Sequence, residues 1–334
     1  MSRLLPEWHP QWGVMIAWPH PSTDWAYVLE RAEATYTALA HAILARENLL
    51  VLCRDDAHEQ HIRACLGAVD SARLHMRQLP YNDTWARDFG PLCVTRNDGV
   101  VLKDFTFNGW GGKFEASLDN ATSVALDWSV PLESVPLVLE GGSVEINGRG
   151  QLLTTRYCLM NPNRNPTMDQ AAIEAELRRQ LGVSEFWWLN HGDLEGDDTD
   201  AHIDTLARFC DDTTIAYVQC EDPRDSHYDE LQRMEQELQA LATQHQLTLV
   251  PLPLPPAQFD DDGQRLPVTY ANFLIINGAV LLPIYGCDTD AQAVAQMKQA
   301  FPNHDIVPIN CLSLTWQHGS LHCVTMQLPE GVRN

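Results

Sequence analysis

Val144-Glu145-Ile146-Asn147-Gly148-Arg149-Gly150-Gln151-Leu152-Leu153-Thr154-Thr155-Arg156-Tyr157-Cys158 reads as two strand-forming runs folded about Asn147-Gly148. That dipeptide favours the tight turn of a β-hairpin. A helix-period pattern over residues 167–181 follows, then an aromatic strand at 185–189. The same succession recurs twice. Residues 203–220 give two strands turning near Asp211-Asp212, followed by an amphipathic stretch at 226–246 and a strand at 247–252. Residues 272–285 turn at Asn277-Gly278, followed by a helix over 289–301 and a strand over 305–310. The turns lie 211 − 147 = 64 and 277 − 211 = 66 residues apart. Self-similarity at such a period marks a modular ring or solenoid, because each unit buries its apolar face against its neighbours.

Upstream the pattern is less regular. A hairpin over 94–107 turns about Asn97-Asp98-Gly99, with a short helical piece at 121–128 and a strand at 135–139. The N-terminal part offers a strand at 13–18, a long helix at 25–47 and a strand at 48–53. A last strand at 321–327 has no partner downstream, so it is expected to pair with the N-terminal strand and close a ring. Five units of about 65 residues account for one α/β domain over residues 1–334, with no linker between them.

Lys plus Arg number 22 and Asp plus Glu 45, so the formal net charge is 22 − 45 = −23. Such a field repels nucleic acid and anionic membrane and attracts cations, though acidity serves solubility in most acidic proteins. No basic region followed by an apolar run opens the chain, and no apolar stretch approaches the ~20 residues of a membrane span. The nine cysteines form no C-x-x-C pair. A cytoplasmic protein with reduced thiols and no structural zinc fits that usage.

Asp197-Asp198-Thr199-Asp200-Ala201-His202-Ile203-Asp204 sets five carboxylates around one histidine. If the segment is extended, Asp200, His202 and Asp204 share a face, a setting for proton transfer on a cation; otherwise it is a solvated turn. On the repeat, Asp88 precedes its turn at Asp98 by ten residues, Glu140 precedes Asn147 by seven and His202 precedes Asp211 by nine. Equivalent positions of a closed ring converge near its axis, so these groups would form a small acidic pocket. Cys323 becomes a nucleophile if a base lies near, and His202 suits that role better than its neighbour His322, which on a strand would face the other way. Motifs for an EF-hand, a P-loop, H-E-x-x-H or G-x-S-x-G are absent.

The ordered set Asn82-Asp83-Thr84-Trp85-Ala86-Arg87-Asp88-Phe89-Gly90-Pro91, Phe107-Asn108-Gly109-Trp110-Gly111-Gly112-Lys113, Glu140-Gly141-Gly142-Ser143, Asn163-Arg164-Asn165-Pro166, His202-Ile203-Asp204 and His322-Cys323 spans nearly the whole chain. It resembles the agmatine deiminase and bacterial-type peptidyl-arginine deiminase family of the guanidine-modifying superfamily. The resemblance implies a five-bladed α/β propeller of ββαβ units, the pentein fold, with pseudo-fivefold symmetry. It implies Cys323 as the nucleophile on a guanidinium carbon and His202 as acid, then base. Asp88 and Asp204 become the guanidinium clamp, and Glu140 the group that orients His202. Trp85 and Trp110 would pack on the substrate, and Asp198 would meet a far ammonium. No metal or organic cofactor is implied.

The implied reaction is hydrolysis of agmatine to N-carbamoylputrescine and ammonia, in polyamine synthesis or agmatine breakdown. A peptidyl- or free-arginine deiminase is the nearest alternative; an amidinotransferase and a non-catalytic binder of cations lie further off. The partner is thus a small guanidinium compound, and a homo-oligomer is compatible with it. Two departures touch the substrate tail: Ala201 stands where the family has Gly, and Gln317-His318-Gly319-Ser320-Leu321 replaces a glycine-rich stretch ending in Asn-Ile.

Overall fold

The computed structural model describes residues 2–96 and 99–333. The Asn97-Asp98 part of the expected N-terminal turn lies outside the described residues. Backbone hydrogen bonds gather the strands into five separate sheets, which makes the fold a mixed α/β one.

Every sheet contains both an antiparallel and a parallel pairing. The three regular units obey one rule. Ala207–Phe209 pairs antiparallel with Thr214–Gln219, the helix Tyr228–His245 crosses over, and Thr248–Pro253 returns parallel to Thr214–Gln219. Leu274–Ile276, Ala279–Ile284, the helix Asp290–Ala300 and Asp305–Asn310 repeat it. So do Glu145–Ile146, Gln151–Thr155, Gln170–Leu181 and Glu185–Leu189. A tight turn can join antiparallel strands, whereas a parallel return needs a crossover, so the alternation of short and helical connections sets the alternation of pairing. Tyr228–His245 buries Leu231, Met234 and Leu238, a single stripe of a helix otherwise mostly polar. The Asp169 side chain caps Gln170–Leu181, which ends at Gly182 in the left-handed conformation.

The fourth sheet joins Arg3–Leu4 to Leu92–Arg96, Gly99–Thr106 and Leu132–Val138. In the fifth, Met326–Pro329 pairs antiparallel with Gln11–Ala17, as expected of the last strand, although it starts later than 321. Asn48–Cys53 and Leu74–Gln78 complete that sheet. Hydrogen bonds link turns of different units. Gly148 donates to Asp212 at 2.7 Å, and Asn277 donates its amide to Gln11 O at 2.8 Å.

Several expectations shift. The first hairpin has a four-residue loop, Asn147 to Gly150, with Gly150 rather than Gly148 at positive φ. The N-terminal helix spans Leu29–Leu44 after a short 3-10 turn at Asp24–Tyr27. Cys158 sits in a helical turn, Arg156–Leu159. The helix Asp56–Leu66 and the strand Leu74–Gln78 were not expected. Among the described residues no helix is long and apolar enough to cross a membrane.

Candidate active site

Asp88 stands on the helical turn Ala86–Phe89 and is almost wholly buried. Its Oδ1 accepts the Gly142 N–H at 2.9 Å, and its Oδ2 accepts the Trp110 indole N–H at 2.9 Å. Trp110 reaches it from a tight turn, Gly109–Gly112, in which Trp110 itself takes φ +55°. Gly142 is the hub. A Cβ there would lie 2.6 Å from His202 Nδ1, 2.9 Å from Asp88 Oδ1 and 3.1 Å from Asp204 Oδ2. Only glycine permits three functional side chains to crowd one backbone position.

The segment leading to His202 is not a strand. Asp200 and Ala201 both take positive φ, at +66° and +62°, and a 3-10 turn, Ile203–Thr205, follows. The expected common face for Asp200, His202 and Asp204 therefore fails for Asp200, whose carboxylate turns to Arg164 (2.7 Å) and Lys113 (2.8 Å). Asp197 is spent on the loop, accepting from the backbone of Thr199 and Ala201. His202 and Asp204 still converge, because the turn brings them to the same side of Gly142.

Glu140 lies behind His202, with its Oε2 at 4.0 Å from the ring Nε2. Both Glu140 oxygens accept from Arg164 Nε, at 3.0 and 2.9 Å, and Arg164 also donates to Thr199 O at 2.9 Å. Arg164 thus ties Glu140 to the loop that carries His202. Arg164 belongs to the motif Asn163-Arg164-Asn165-Pro166, whose spacing alone assigns it no task.

Cys323 does not lie on a strand either. Leu321 to Val324 form turns ahead of Met326–Pro329, so the strand rule for His322 and Cys323 does not apply. Cys323 Sγ lies 4.0 Å from Asp204 Oδ2 and 3.4 Å from Asn272 Oδ1, which also accepts the backbone N–H of His322 (2.9 Å) and of Cys323 (3.3 Å). Asn272, fully buried, holds the turn of Cys323 in place, and nothing in its spacing had marked it.

The electrostatics divide these groups. Burial pushes the Cys323 thiol well up, and the charges of Asp204 and Asp88 add to it. Burial drives His202 down to about 3, against the pull of Asp204, so the imidazole is neutral at neutral pH. Asp88 is raised far above the usual carboxylate range by burial and by Asp204 and Glu140. Burial acts on Asp204 in the same sense, but the hydrogen bond and charge of His322 outweigh it and leave Asp204 lowered. Asp204 Oδ1 and His202 Nε2 are buried and make no hydrogen bond within the described protein, so both are open to a partner in the site.

The cavity above Asp88 and Cys323 is walled by Trp85, Trp110 and Phe114. Its lining also includes the carboxylates of Asp24, Asp83 and Asp198, with His318 Nε2 3.8 Å from Asp198. Trp85 is fixed by its indole bond to Asp83 (3.0 Å) and by Gly319, where a Cβ would strike the Trp85 ring at 2.1 Å. Glu140, Cys158 and His202 lie close enough to share a metal ion. Both Glu140 oxygens already face the Arg164 guanidinium, which would repel one there. A neutral thiol and imidazole beside paired carboxylates suit covalent chemistry on a planar cation.

The chain matches the Porphyromonas-type peptidyl-arginine deiminase family over residues 3–329. It is 32% identical over 351 residues to the agmatine deiminase of Stutzerimonas stutzeri (strain A1501), covering 97% of this chain and 94% of that one. Its structure resembles a Porphyromonas gingivalis protein provisionally described as an arginine deiminase, with 47% identity, TM-score 0.94 and full coverage of both chains. It equally resembles C. jejuni agmatine deiminase, a Cys-to-Ser variant with substrate bound, with 35% identity, TM-score 0.94, and 100% and 98% coverage.

Proposed function

Because the chain belongs to the Porphyromonas-type peptidyl-arginine deiminase family, we propose that it is a guanidine deiminase that hydrolyses agmatine to N-carbamoylputrescine and ammonia. The observation that carries the choice of agmatine is the lining of the cavity. Asp24, Asp83 and Asp198 stand there, and among the described lining residues none is Lys or Arg. An ammonium tail meets complementary charge, whereas the α-carboxylate of free arginine meets three carboxylates against the single imidazole of His318.

In this reading Asp88 and Asp204 grip the guanidinium through its N–H groups, a planar match of donors to carboxylate oxygens. The bound cation offsets the negative field that raises the Cys323 thiol, and neutral His202 accepts the thiol proton. The thiolate attacks the guanidinium carbon. His202 then returns that proton to the departing nitrogen, which leaves as ammonia, and a thiouronium on Cys323 remains. His202 next takes a proton from water, hydroxide adds to the same carbon, and the C–S bond breaks as the hydroxyl proton passes to the departing sulfur, which releases the carbamoyl product and restores the thiol; His202 gives its proton to solvent. Glu140, held by Arg164, supports the imidazolium formed in between. Trp85 and Trp110 line the methylene chain, and Asp198 receives the far ammonium.

The five sheets read as blades of one closed α/β propeller, a single domain over residues 1–334, with the site at the axis. The net charge of −23 suits a cationic small molecule and disfavours nucleic acid and anionic membrane. A cytoplasmic location agrees with nine unpaired cysteines. Steady-state ammonia release from agmatine, free arginine and a blocked arginyl peptide tests the substrate: agmatine should exceed both in kcat/KM. Faster turnover of either arginine compound would overturn the assignment.

A further inference from the structure

Beneath the site runs a buried chain of charged groups that the deimination steps do not use. The His322 ring touches a carboxylate at each nitrogen: Nδ1 lies 2.7 Å from Asp204 Oδ2, and Nε2 lies 2.6 Å from Glu7 Oε2. Glu7 in turn accepts from Arg208 Nη2 at 2.8 Å and from the Ile275 N–H at 2.7 Å, with Arg87 Nη2 at 3.5 Å. Arg208 continues to Glu145 at 2.8 Å. Glu7, Arg87, Glu145, Arg208 and His322 are all at most 6% exposed, and Glu7 comes from the far N-terminal end of the sequence.

Each ring nitrogen of His322 lies within hydrogen-bond reach of a carboxylate oxygen, so the ring is placed to donate to Asp204 and to meet Glu7 on its other side. One side of Asp204 is then occupied by the His322 ring, and its Oδ1, which has no partner within the protein, is the oxygen left for substrate. Without that donor, Asp204 would sit buried beside Asp88 and would be expected to take up a proton.

We propose that Glu7 and His322 form a positioning relay, in which the Arg208-anchored Glu7 carboxylate holds the His322 ring as the donor that keeps Asp204 ionised and aimed at the guanidinium. The inference rests on the deiminase reading. It gives His322, adjacent to Cys323, a task distinct from that of His202.

The groups that bear on Asp204 are Asp88 and His202 around Gly142, Cys323 at 4.0 Å, Asp197, His322, Arg87 and Arg208. Those that bear on Glu7 are His322, Arg87 and Arg208, with Glu145 beyond Arg208. Glu7→Gln keeps the size and an acceptor while removing the charge. The pH profile of agmatine kcat/KM is the readout, because it reports groups of the free enzyme. Asp88 already contributes one ionisation to the acid limb, so Glu7→Gln should add that of Asp204, steepening the limb from a slope of about one toward about two and lowering kcat/KM about tenfold further about one pH unit into it. His322→Gln, which retains an amide donor toward Asp204 without the charge, should steepen it likewise. If Glu7→Gln does not fold, His322→Gln alone decides. A folded variant of lower thermal stability whose acid limb keeps the wild-type slope would overturn the relay. A wild-type protein that releases no ammonia from agmatine would instead overturn the function on which the relay depends.

Discussion

The Trp110 indole donates to Asp88 Oδ2 at 2.9 Å, so the aromatic loop 107–113 is tied to one carboxylate of the proposed guanidinium clamp. Trp110→Phe keeps most of the ring and removes that donor. The KM for agmatine should rise about tenfold, the effect of one lost hydrogen bond to a charged group, with stability within about 1 kcal/mol of wild type. Steady-state kinetics beside a urea titration would check both. An unchanged KM would mean that Asp88 is oriented by Gly142 alone.

Gly142→Ala tests the crowding around that backbone position. Its methyl group would lie 2.6 Å from His202 Nδ1, so the imidazole or the backbone must move. Activity should fall by at least about 100-fold, the scale of a misplacement near 1 Å. Activity within tenfold of wild type would show that His202 tolerates displacement.

Much of this was legible in the sequence. The 64- and 66-residue spacing located three ββαβ units because period-2 and period-3.6 patterns survive in buried elements. What failed was conformation at the site. Two residues at positive φ, Asp200 and Ala201, break the strand that alternation suggested, and one of them sends Asp200 to Arg164. Asn272, Arg164 and Glu7 escaped for another reason. Each acts through a partner tens to hundreds of residues away, a relation that no local spacing encodes.

Ala201 occupies left-handed backbone, where the resembling family has glycine. That conformation costs an L-residue about 1–2 kcal/mol. Against this, glycine loses a buried methyl worth about 0.8 kcal/mol and gains unfolded-state entropy worth about 0.4–1 kcal/mol. Ala201→Gly should therefore lie within about 1 kcal/mol of wild type by urea unfolding. A loss above about 2 kcal/mol would show that packing, not backbone, dominates there.

Asp88 should give up a proton when a cation binds. Burial and the charges of Asp204 and Glu140 raise its carboxyl in the empty site, and a guanidinium reverses that field. A raised acid is protonated below its shifted value, so agmatine must displace the proton, and affinity should improve as pH rises. Calorimetry on Cys323→Ser, in buffers of different ionisation enthalpy, should show net proton release on agmatine binding that grows as pH falls. Heats independent of the buffer would mean that Asp88 is already ionised.

The covalent route through Cys323 is the central claim, and replacing its sulfur tests it most directly. Cys323→Ser preserves the turn held by Asn272 but offers a hydroxyl in place of a thiol. Ammonia release from agmatine should fall by at least about a thousandfold, while calorimetry still detects agmatine binding. Cys323→Ser retaining wild-type turnover would contradict the account.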